Sequence, residues 1–402
     1  MPAIDSIKAV FWAAGAAVLV SLASFGISPA HAIQSCVNSL KSQAVSAGVR
    51  PQVAERMLSG ATFDEKVVRF SKTQPETKIP IWDYMAFLVD AERIADGKRL
   101  LTKHRQTLAA VEQRYGVNRH VVLAVWGIES DFGEFRGDFY TPHALANLVC
   151  AGGRRSSYFR GELIKTMQIA SRGDVPINAF QGSWAGAFGQ TQFMPTTYTR
   201  LAVDFDGDGR KDLVNSIPDA LASTANFLKD AGWRDTRPWG FEVKVPKGYS
   251  GPVGRKKRAP LSTWASRGLT RIDGKALSGN LQSALIRPAG AGGPAFLVTR
   301  NFNALRSYNA STSYGLAIAL LSELVSDGQP FMTPWPTNNP GLSRAQRLEL
   351  QKLLNRNGFD VGEPDGKVGP KTRAGIKAAE AKYGMPVTGR PAWNIYSALG
   401  GR

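Results

Sequence analysis

The chain has 402 residues, which is enough for two or three domains of ordinary size. Hydrophobic residues make up 43% of it, so a packed core is feasible and wholesale disorder is excluded. Two cysteines exclude a disulfide-stapled miniprotein, and four histidines, none spaced as a ligand pair, argue against a catalytic transition-metal site. The net charge of +18 predicts an anionic partner: nucleic acid, a membrane surface or an acidic polymer.

The first 32 residues have the pattern of a secretory signal peptide. Lys8 precedes an uncharged, mostly apolar run, and Ala30-His31-Ala32 gives a small-x-small cleavage site. The alternatives are an uncleaved membrane anchor, since the apolar run is nearly long enough to span a bilayer, and lipidation at Cys36. We expect cleavage after Ala32 and a periplasmic protein. Export makes nucleic acid an improbable partner and leaves an anionic envelope polymer or lipid.

The two cysteines, Cys36 and Cys150, are expected to form a disulfide, because an exported chain folds in an oxidising compartment. The alternative is a pair of buried, unpaired thiols. A bridge would tie the new N-terminus to a segment far downstream.

After the signal peptide, residues 33–329 form the larger unit and are predicted to be mainly helical. Residues 86–115 carry helical apolar spacing that ends at Gly116, and Asn118 is suited to cap a helix from Arg119 to about Ser130. Residues 241–245 and 295–298 are short strand candidates, with the basic run Arg255-Lys256-Lys257-Arg258 in a loop between them. Residues 330–341 are predicted to form a stiff, Pro-rich linker. Residues 342–402 are predicted to form a compact three-helix unit whose first helix is capped by Ser343.

One carboxylate lies within an apolar stripe. On a helix, Glu129 is i+7 from Val122, i+4 from Val125 and i+3 from Trp126, whereas Asp131 falls on another face. A desolvated carboxyl has a raised pKa and stays protonated near neutral pH, as a general acid must. The alternative is a structural Glu bonded to the backbone or to an Arg.

Glu129 lies in the first of three sequence motifs that resemble those of a known family. VWGIESDFG, with Glu129 inside it, and GSWAGAFGQTQFMPTTY from Gly182 resemble the lytic transglycosylases of the membrane-bound lytic transglycosylase B family, and SYNASTSYGLAIALLSE from Ser307 is similar to that family too. The resemblance implies a mainly α (α+β) fold: a lysozyme-like helical catalytic domain with a small β-containing insertion. It also implies cleavage of peptidoglycan between N-acetylmuramic acid and N-acetylglucosamine, leaving a 1,6-anhydromuramic end.

The same resemblance implies roles for individual residues. Glu129 matches the family's single acid/base, which protonates the scissile oxygen and then takes the proton of the attacking muramic O6 hydroxyl. No cofactor is required for this chemistry. Phe227 stands where the family often has a cleft tyrosine, so that hydroxyl contact is lost or supplied elsewhere. The positions that match the family's saccharide cleft are Tyr84, Ser183, Gln192, Tyr308 and Tyr314.

Residues 204–215 follow the spacing of a calcium-binding EF-hand loop, with Gly209 at the sharp turn. The twelfth position is Asn215 instead of a bidentate Glu, which should weaken binding. The alternative is a metal-free turn that caps the next helix. Any Ca²⁺ would be structural, and its candidate ligands are Asp204, Asp206, Asp208, the Arg210 carbonyl, Asp212 and Asp219.

The C-terminal unit resembles the three-helix peptidoglycan-binding module, through LQKLLNRNGFDVGEPDGKVGPKTRAGIKAAEAKYG. It would hold the enzyme on its substrate, the peptidoglycan glycan strand. Two alternatives to a lytic transglycosylase stay open: a hydrolytic muramidase on the same scaffold, which would need a second carboxylate, and a non-catalytic wall-binding scaffold. Participation in a cell-wall synthesis or remodelling complex is a further expectation with no partner specified.

Overall fold

The computed structural model describes residues 29–73, 79–234 and 237–402. The predicted signal peptide therefore lies outside the described residues, apart from the helical backbone of residues 29–32. Within the described ranges, no helix combines the length and the apolar character needed to cross a membrane.

Helices dominate the chain, as the sequence predicted, and they form two groups. The first group comprises α1 (Pro29–Ser46), α2 (Pro51–Leu58), α3 (Glu65–Thr73), α4 (Ile81–Leu88), α5 (Ala91–Lys103), α6 (Arg105–Tyr115), α7 (Arg119–Ser130), α8 (Thr141–Cys150), α9 (Ser156–Arg172), α10 (Pro195–Leu201), α11 (Ile217–Asp230), α12 (Leu261–Ser266), α13 (Arg300–Tyr308) and α14 (Thr312–Val325). The second, C-terminal group comprises α15 (Arg344–Arg356), α16 (Pro370–Lys382) and α17 (Trp393–Ala398). The helical stretch predicted over residues 86–115 is three helices, because the side chain of Asp90 caps a new helix and the chain breaks again at His104.

In the part of the chain that the structure describes, two small antiparallel sheets interrupt the helices. The first pairs β1 (Phe139–Tyr140) with β2 (Gln181–Gly182). The second consists of β3 (Gly240–Lys244), β4 (Arg258–Pro260), β5 (Thr270–Arg271), β6 (Gln282–Ile286) and β7 (Ala295–Val298), in the spatial order β4-β6-β7-β3-β5. Both predicted strands are present, and Arg258, the last residue of the basic run, begins the edge strand β4.

Among the described residues, the first group of helices contains two large hydrophobic cores that meet, and a smaller core lies between the larger sheet and α12. The central core surrounds α7 and α14 and includes Trp126 and Leu321. The second core is built from α1, α2, α8 and α9 together with the aromatic residues between α9 and α11. The rings of Phe227 and Tyr308 pack against both cores, so they mark the seam between them.

A disulfide joins Cys36 on α1 to Cys150 at the end of α8, with a Cα–Cα distance of 5.8 Å. It therefore links α1 to α8 within the second core. The residues between the two cysteines include all of α7, so the bridge closes a loop that contains Glu129.

The Pro-rich segment of residues 330–341 packs against the rest of the chain. Phe331 and Trp335 pack on the central core, and the N–H groups of Met332 and Thr333 donate to the buried carboxylate of Glu242 at 2.7 and 2.8 Å. Beyond this segment, α15–α17 enclose a core of their own, and α15 begins with a capping box. The segment is therefore a fixed connection and not a free tether.

Candidate active site

Helix α7 carries Glu129 close to its C-terminal end. The helix begins at the Asn118 cap, whose side chain accepts from the N–H groups of His120 and Val121, and most of it is buried in the central core. At Gly127 a Cβ atom would lie 2.7 Å from the ring of Phe132 and 3.2 Å from Leu321 of α14. The glycine thus permits close packing at the site, and the half-buried Glu129 directly follows the apolar run of residues 121–128.

The chain reverses sharply after α7. Asp131 and Phe132 have φ values of 53° and 58°, and Gly133 follows at 91°, so three successive residues are left-handed. The hydroxyl of Ser130 accepts from the N–H of Gly133 at 2.9 Å and helps to hold this turn. The turn brings residues 135–139 back beside the Glu129 carboxylate.

A buried tyrosine donates a hydrogen bond to the Glu129 carboxylate. The donor is the hydroxyl of Tyr314 on α14, whose side chain is only 3% exposed. Burial, the charge of Glu129 and the neighbouring Tyr308 all raise the pKa of Tyr314 well above its usual range. The phenol therefore keeps its proton and remains a donor whichever form Glu129 takes.

Tyr308 lies beside Tyr314, with ring centroids 6.4 Å apart in a stacked arrangement. Its hydroxyl donates to the Thr191 carbonyl at 3.1 Å and lies 3.4 Å from the Thr224 hydroxyl. Burial and the charge of Glu129 raise the pKa of Tyr308. The ring centroid of Phe227 lies 4.5 Å from that of Tyr308. At this position, where the family often has a tyrosine, the chain therefore makes an apolar ring contact.

A cleft of about 180 Å³ opens in front of Glu129. Ser183 and Gln192, two of the residues expected to bind saccharide, line it together with Glu129. The Ser183 hydroxyl accepts from the N–H of Ala187 at 3.1 Å, and the Gln192 amide donates to the carbonyls of Arg136 and Gly189 at 2.9 and 3.0 Å. The remaining lining residues are Phe135, Arg136, Gly137, Asp138, Phe139 and Trp184.

Tyr84, the fifth residue expected to bind saccharide, is on α4 and packs half-buried against the central core. The electrostatic influence of Tyr84 makes a small contribution to the raised pKa of Tyr314. Tyr84 is not among the residues that line the cleft with Glu129.

Sequence reasoning missed Gln190, a buried residue that fastens the cleft loop to α7. Its side-chain oxygen accepts from the indole N–H of Trp126 at 2.9 Å, its amide nitrogen donates to the Val214 carbonyl at 3.0 Å, and its own carbonyl accepts from the Ser130 hydroxyl at 2.5 Å. The signal was present in the motif GQTQ, which holds Gln190 and Gln192. Spacing alone does not tell which of the two glutamines faces the core and which faces the cleft.

The nearby acidic residues have different surroundings. Asp131 accepts from the Nε of Arg93 at 3.0 Å and from the Nη2 of Arg344, 2.8 Å from its second oxygen. Glu134 is exposed and does not line the cleft. Asp138 is exposed and does line it, so among the lining residues Asp138 is the one carboxylate other than Glu129.

The EF-hand-like loop connects α10 to α11. Carboxylate oxygens of Asp204, Asp206 and Asp219 lie within 4.8 Å of one another, as a shared cation would require. Asp219 is fully buried and accepts from the N–H groups of Phe205 and Asp212 at 2.7 and 2.8 Å. Burial raises the pKa of Asp219; these backbone bonds partly offset that effect, and the charge of Asp206 adds to it.

Asp208 and Asp212 are not in this group of three carboxylates, and their role as ligands stays a prediction. The Asp212 carboxylate accepts from the N–H groups of Val214 and Asn215 and from the Asn215 side chain, so it caps the turn after the loop. Asp208 accepts from the N–H of Arg210 at 2.8 Å. Both carboxylates hold the loop backbone, and the role of the Arg210 carbonyl stays a prediction.

Comparison with known proteins places this geometry in a family. The model of the transglycosylase SLT domain matches residues 32–323, and that of the putative peptidoglycan-binding domain matches residues 343–392. The chain is 31% identical over 294 residues to the membrane-bound lytic murein transglycosylase B of Escherichia coli, which covers 69% of this chain and 79% of that protein.

Solved structures agree with these matches. SltB3 of Pseudomonas aeruginosa, solved in complex with NAG-anhNAM-pentapeptide, is 39% identical, with a TM-score of 0.73 over 91% of this chain and 99% of that chain. The lytic transglycosylase Slt35 of E. coli, solved in complex with calcium, is 28% identical, with a TM-score of 0.63 over 75% of this chain and 94% of that chain. The protein is therefore a member of the lytic transglycosylase family, and it combines a lysozyme-like SLT domain with a C-terminal peptidoglycan-binding domain.

Proposed function

We propose that the protein cleaves the glycosidic bond between N-acetylmuramic acid and N-acetylglucosamine in peptidoglycan, with Glu129 acting first as acid and then as base. The observation that carries this proposal is the position of Glu129. Glu129 is half-buried, accepts a hydrogen bond from a buried tyrosine and lines the cleft together with the polar side chains of Ser183 and Gln192.

In the first step the carboxyl of Glu129 gives its proton to the scissile oxygen, and the bond from that oxygen to C1 of the muramic acid breaks. In the second step the carboxylate removes the proton of the muramic O6 hydroxyl, and O6 bonds to C1. Glu129 is then protonated again, and no water is consumed. One carboxylate serves both steps, so the second carboxylate of a retaining or inverting hydrolase is not needed.

Tyr314 supports the carboxylate stage of this cycle. A hydrogen bond to an ionised acceptor is stronger than one to a neutral group, so the Tyr314 hydroxyl stabilises Glu129 most after the first proton transfer. Ser183, Gln192, Tyr84 and Tyr308 are proposed to contact the saccharide. Their hydroxyl, amide and aromatic groups suit the hydroxyl and acetamido groups of the sugars.

The experiment that tests the reaction is mass spectrometry of the muropeptides that the mature protein releases from purified sacculi. We expect products lighter by one water, about 18 Da, than those of a hydrolase, because O6 takes the place of water. The matched control is Glu129→Gln, which keeps the shape of the side chain and removes the transferable proton. Hydrated products would refute the transglycosylase mechanism, and activity of Glu129→Gln within tenfold of the parent would reject Glu129 as the acid.

The proposed domain organisation is a signal peptide over residues 1–32, the catalytic domain over 33–329, the connecting segment over 330–341 and the peptidoglycan-binding domain over 342–402. On this proposal the mature enzyme is periplasmic. The net charge of +18 favours contact with the carboxylates of peptidoglycan stem peptides. Mass measurement of the N-terminus of the exported protein tests the cleavage site after Ala32.

A structural calcium ion is proposed at the loop between α10 and α11, held by Asp204, Asp206 and Asp219. Three carboxylates within this distance repel one another, and a divalent cation would remove that repulsion. The loop leads directly to Leu213 and Val214, whose carbonyls accept from the buried Gln190 and from Arg136, which lines the cleft. An ion in the loop would stabilise these contacts and take no part in the reaction.

A further inference from the structure

The C-terminal domain contacts the catalytic domain through arginines that reach residues adjacent to the active site. Arg390 binds both carboxylate oxygens of Asp83, and its Nη2 lies 2.8 Å from one of them. Asp83 directly precedes Tyr84 on α4. Arg344, the first residue of α15, binds Asp131, which is two residues beyond Glu129. Two salt bridges between the domains therefore end beside proposed active-site residues.

Asp131 is the residue at which α7 stops. Its N–H donates to the Gly127 carbonyl at 3.0 Å, and its left-handed backbone begins the turn that returns the chain to the cleft. Its carboxylate is held from two sides, by Arg93 of α5 and by Arg344. Arg344 also lies 3.8 Å from Asp90, whose side chain is completely buried.

The left-handed turn requires support. Asp adopts this conformation more readily than most residues, but two successive non-glycine residues with positive φ are a strained arrangement. Such a conformation persists when the surrounding contacts fix it. The guanidinium groups of Arg93 and Arg344 supply charged contacts at its first residue, and the Phe132 ring packs on Trp126 at a centroid distance of 5.6 Å.

Further contacts extend this interface toward the cleft. Lys367 of the C-terminal domain lies 5.1 Å from the ring centroid of Phe135, and Phe135 lines the cleft. Arg347 lies 4.3 Å from the ring centroid of Phe87 at the end of α4. At Gly341 a Cβ atom would lie 2.9 Å from the Cα of Asp83, so the glycine is needed where the connecting segment passes α4.

We propose that Arg344 is a positioning residue for catalysis: by binding Asp131 it fixes the end of α7 and the turn that forms one wall of the cleft. The C-terminal domain is then a structural part of the active site in addition to a wall-binding module. This inference rests on the proposed role of Glu129. A misplacement of about 1 Å at a reacting group can reduce a rate by as much as about a hundredfold. This part-buried salt bridge can therefore affect kcat much more than it affects the free energy of unfolding.

The two roles of the domain make different predictions for a soluble substrate. A module that only tethers the enzyme to the wall raises the local substrate concentration, so it affects sacculi and leaves kcat on short soluble glycans unchanged. A positioning contact affects kcat on short glycans as well, with little change in KM.

The test measures kcat and KM of the full-length protein on a purified soluble glycan–peptide oligomer, well below the unfolding temperature of every variant. We expect Arg344→Ala to lower kcat about tenfold, with KM within about twofold and sacculus binding unchanged. Arg344→Lys keeps a cation near Asp131 and should recover part of kcat. Arg356→Ala is the matched control, because Arg356 is on the same helix, is largely exposed and pairs only distantly with Glu349 of its own domain, at 3.7 Å.

Arg344→Ala with kcat within twofold of the parent would overturn the proposal, and so would a loss confined to sacculi or an equal loss in Arg356→Ala. Asp131→Asn should reproduce the effect of Arg344→Ala, and the double variant should be no worse than either single one. Glu129→Gln, assayed in parallel, separates the two failures. If Glu129→Gln stays active, the assignment of the acid is wrong. The ratio of the kcat of Arg344→Ala to the kcat of Arg344→Lys still reports on the contact between the domains in that case.

Discussion

The hydrogen bond from Tyr314 to Glu129 allows a quantitative prediction. Tyr314→Phe removes one hydroxyl from a side chain that is 3% exposed and leaves its ring in place beside Tyr308. A hydrogen bond to a charged group is worth about 1.5–3 kcal/mol, and each 1.4 kcal/mol corresponds to about a factor of ten. We therefore expect kcat to fall about 10- to 100-fold, because the carboxylate that forms when Glu129 gives up its proton loses its buried donor.

The pH dependence of this variant gives a second readout. Because the pKa of Tyr314 is raised well above its usual range, the phenol stays protonated throughout the working pH range and does not itself produce a limb of the parent profile. Removing the donor destabilises the carboxylate form of Glu129, so that carboxyl keeps its proton to higher pH. The alkaline limb of kcat should consequently move to higher pH in Tyr314→Phe.

The assay is steady-state cleavage of soluble glycan–peptide oligomers over a pH series, with sacculus binding measured alongside. Tyr198→Phe is the matched control, since Tyr198 is equally buried and its hydroxyl donates to the Lys211 carbonyl at 2.5 Å, away from Glu129. It should lose stability and keep kcat. The reasoning fails if Tyr314→Phe retains kcat within twofold of the parent, or if both variants lose the same factor.

Three further predictions concern the rest of the catalytic domain. Cys36→Ser combined with Cys150→Ser should lower the free energy of unfolding by up to about 4–5 kcal/mol, because the bridge spans 114 residues. Urea unfolding of the parent, with and without reductant, and of the double variant measures this loss. Equal midpoints for the oxidised parent and the double variant would contradict it. Asp138→Asn should leave kcat within severalfold and the products anhydro, since the single-carboxylate mechanism makes no use of Asp138; loss of activity to the level of Glu129→Gln would favour a hydrolase. Millimolar Ca²⁺ should raise the unfolding temperature of the parent and not that of Asp219→Asn. Differential scanning fluorimetry measures this shift, with Mg²⁺ at the same concentration as the control ion. Because burial raises the pKa of Asp219, the folded chain without metal loses stability as pH rises through that pKa. The Ca²⁺-induced rise in unfolding temperature should therefore be larger at neutral than at acidic pH. A rise that depends neither on pH nor on Asp219 would refute the site.

Local structure and family membership could be predicted from the amino-acid sequence alone. The bounds of α7 follow from a side-chain cap at Asn118 and an apolar repeat, both of which act within a few residues. The cap at Ser343 and the strand at residues 295–298 are confirmed for the same reason. The mainly helical fold with a small β insertion and a C-terminal binding domain is confirmed too, because the motifs that indicate it are contiguous segments.

The contacts between residues far apart in sequence could not be predicted and are known from the three-dimensional fold. Gln190 and Gln192 differ by two positions, yet one is buried against Trp126 and the other lines the cleft, because the loop that carries them is shaped by contacts with α7. Asp212 satisfies the EF-hand spacing, but the chain folds so that its carboxylate caps a turn and the buried Asp219 joins Asp204 and Asp206 instead. Asp131 meets Arg344 across 213 residues of sequence. Periodicity and capping reflect interactions within a single element, whereas these contacts depend on which faces of different elements pack together, and no local pattern contains that information.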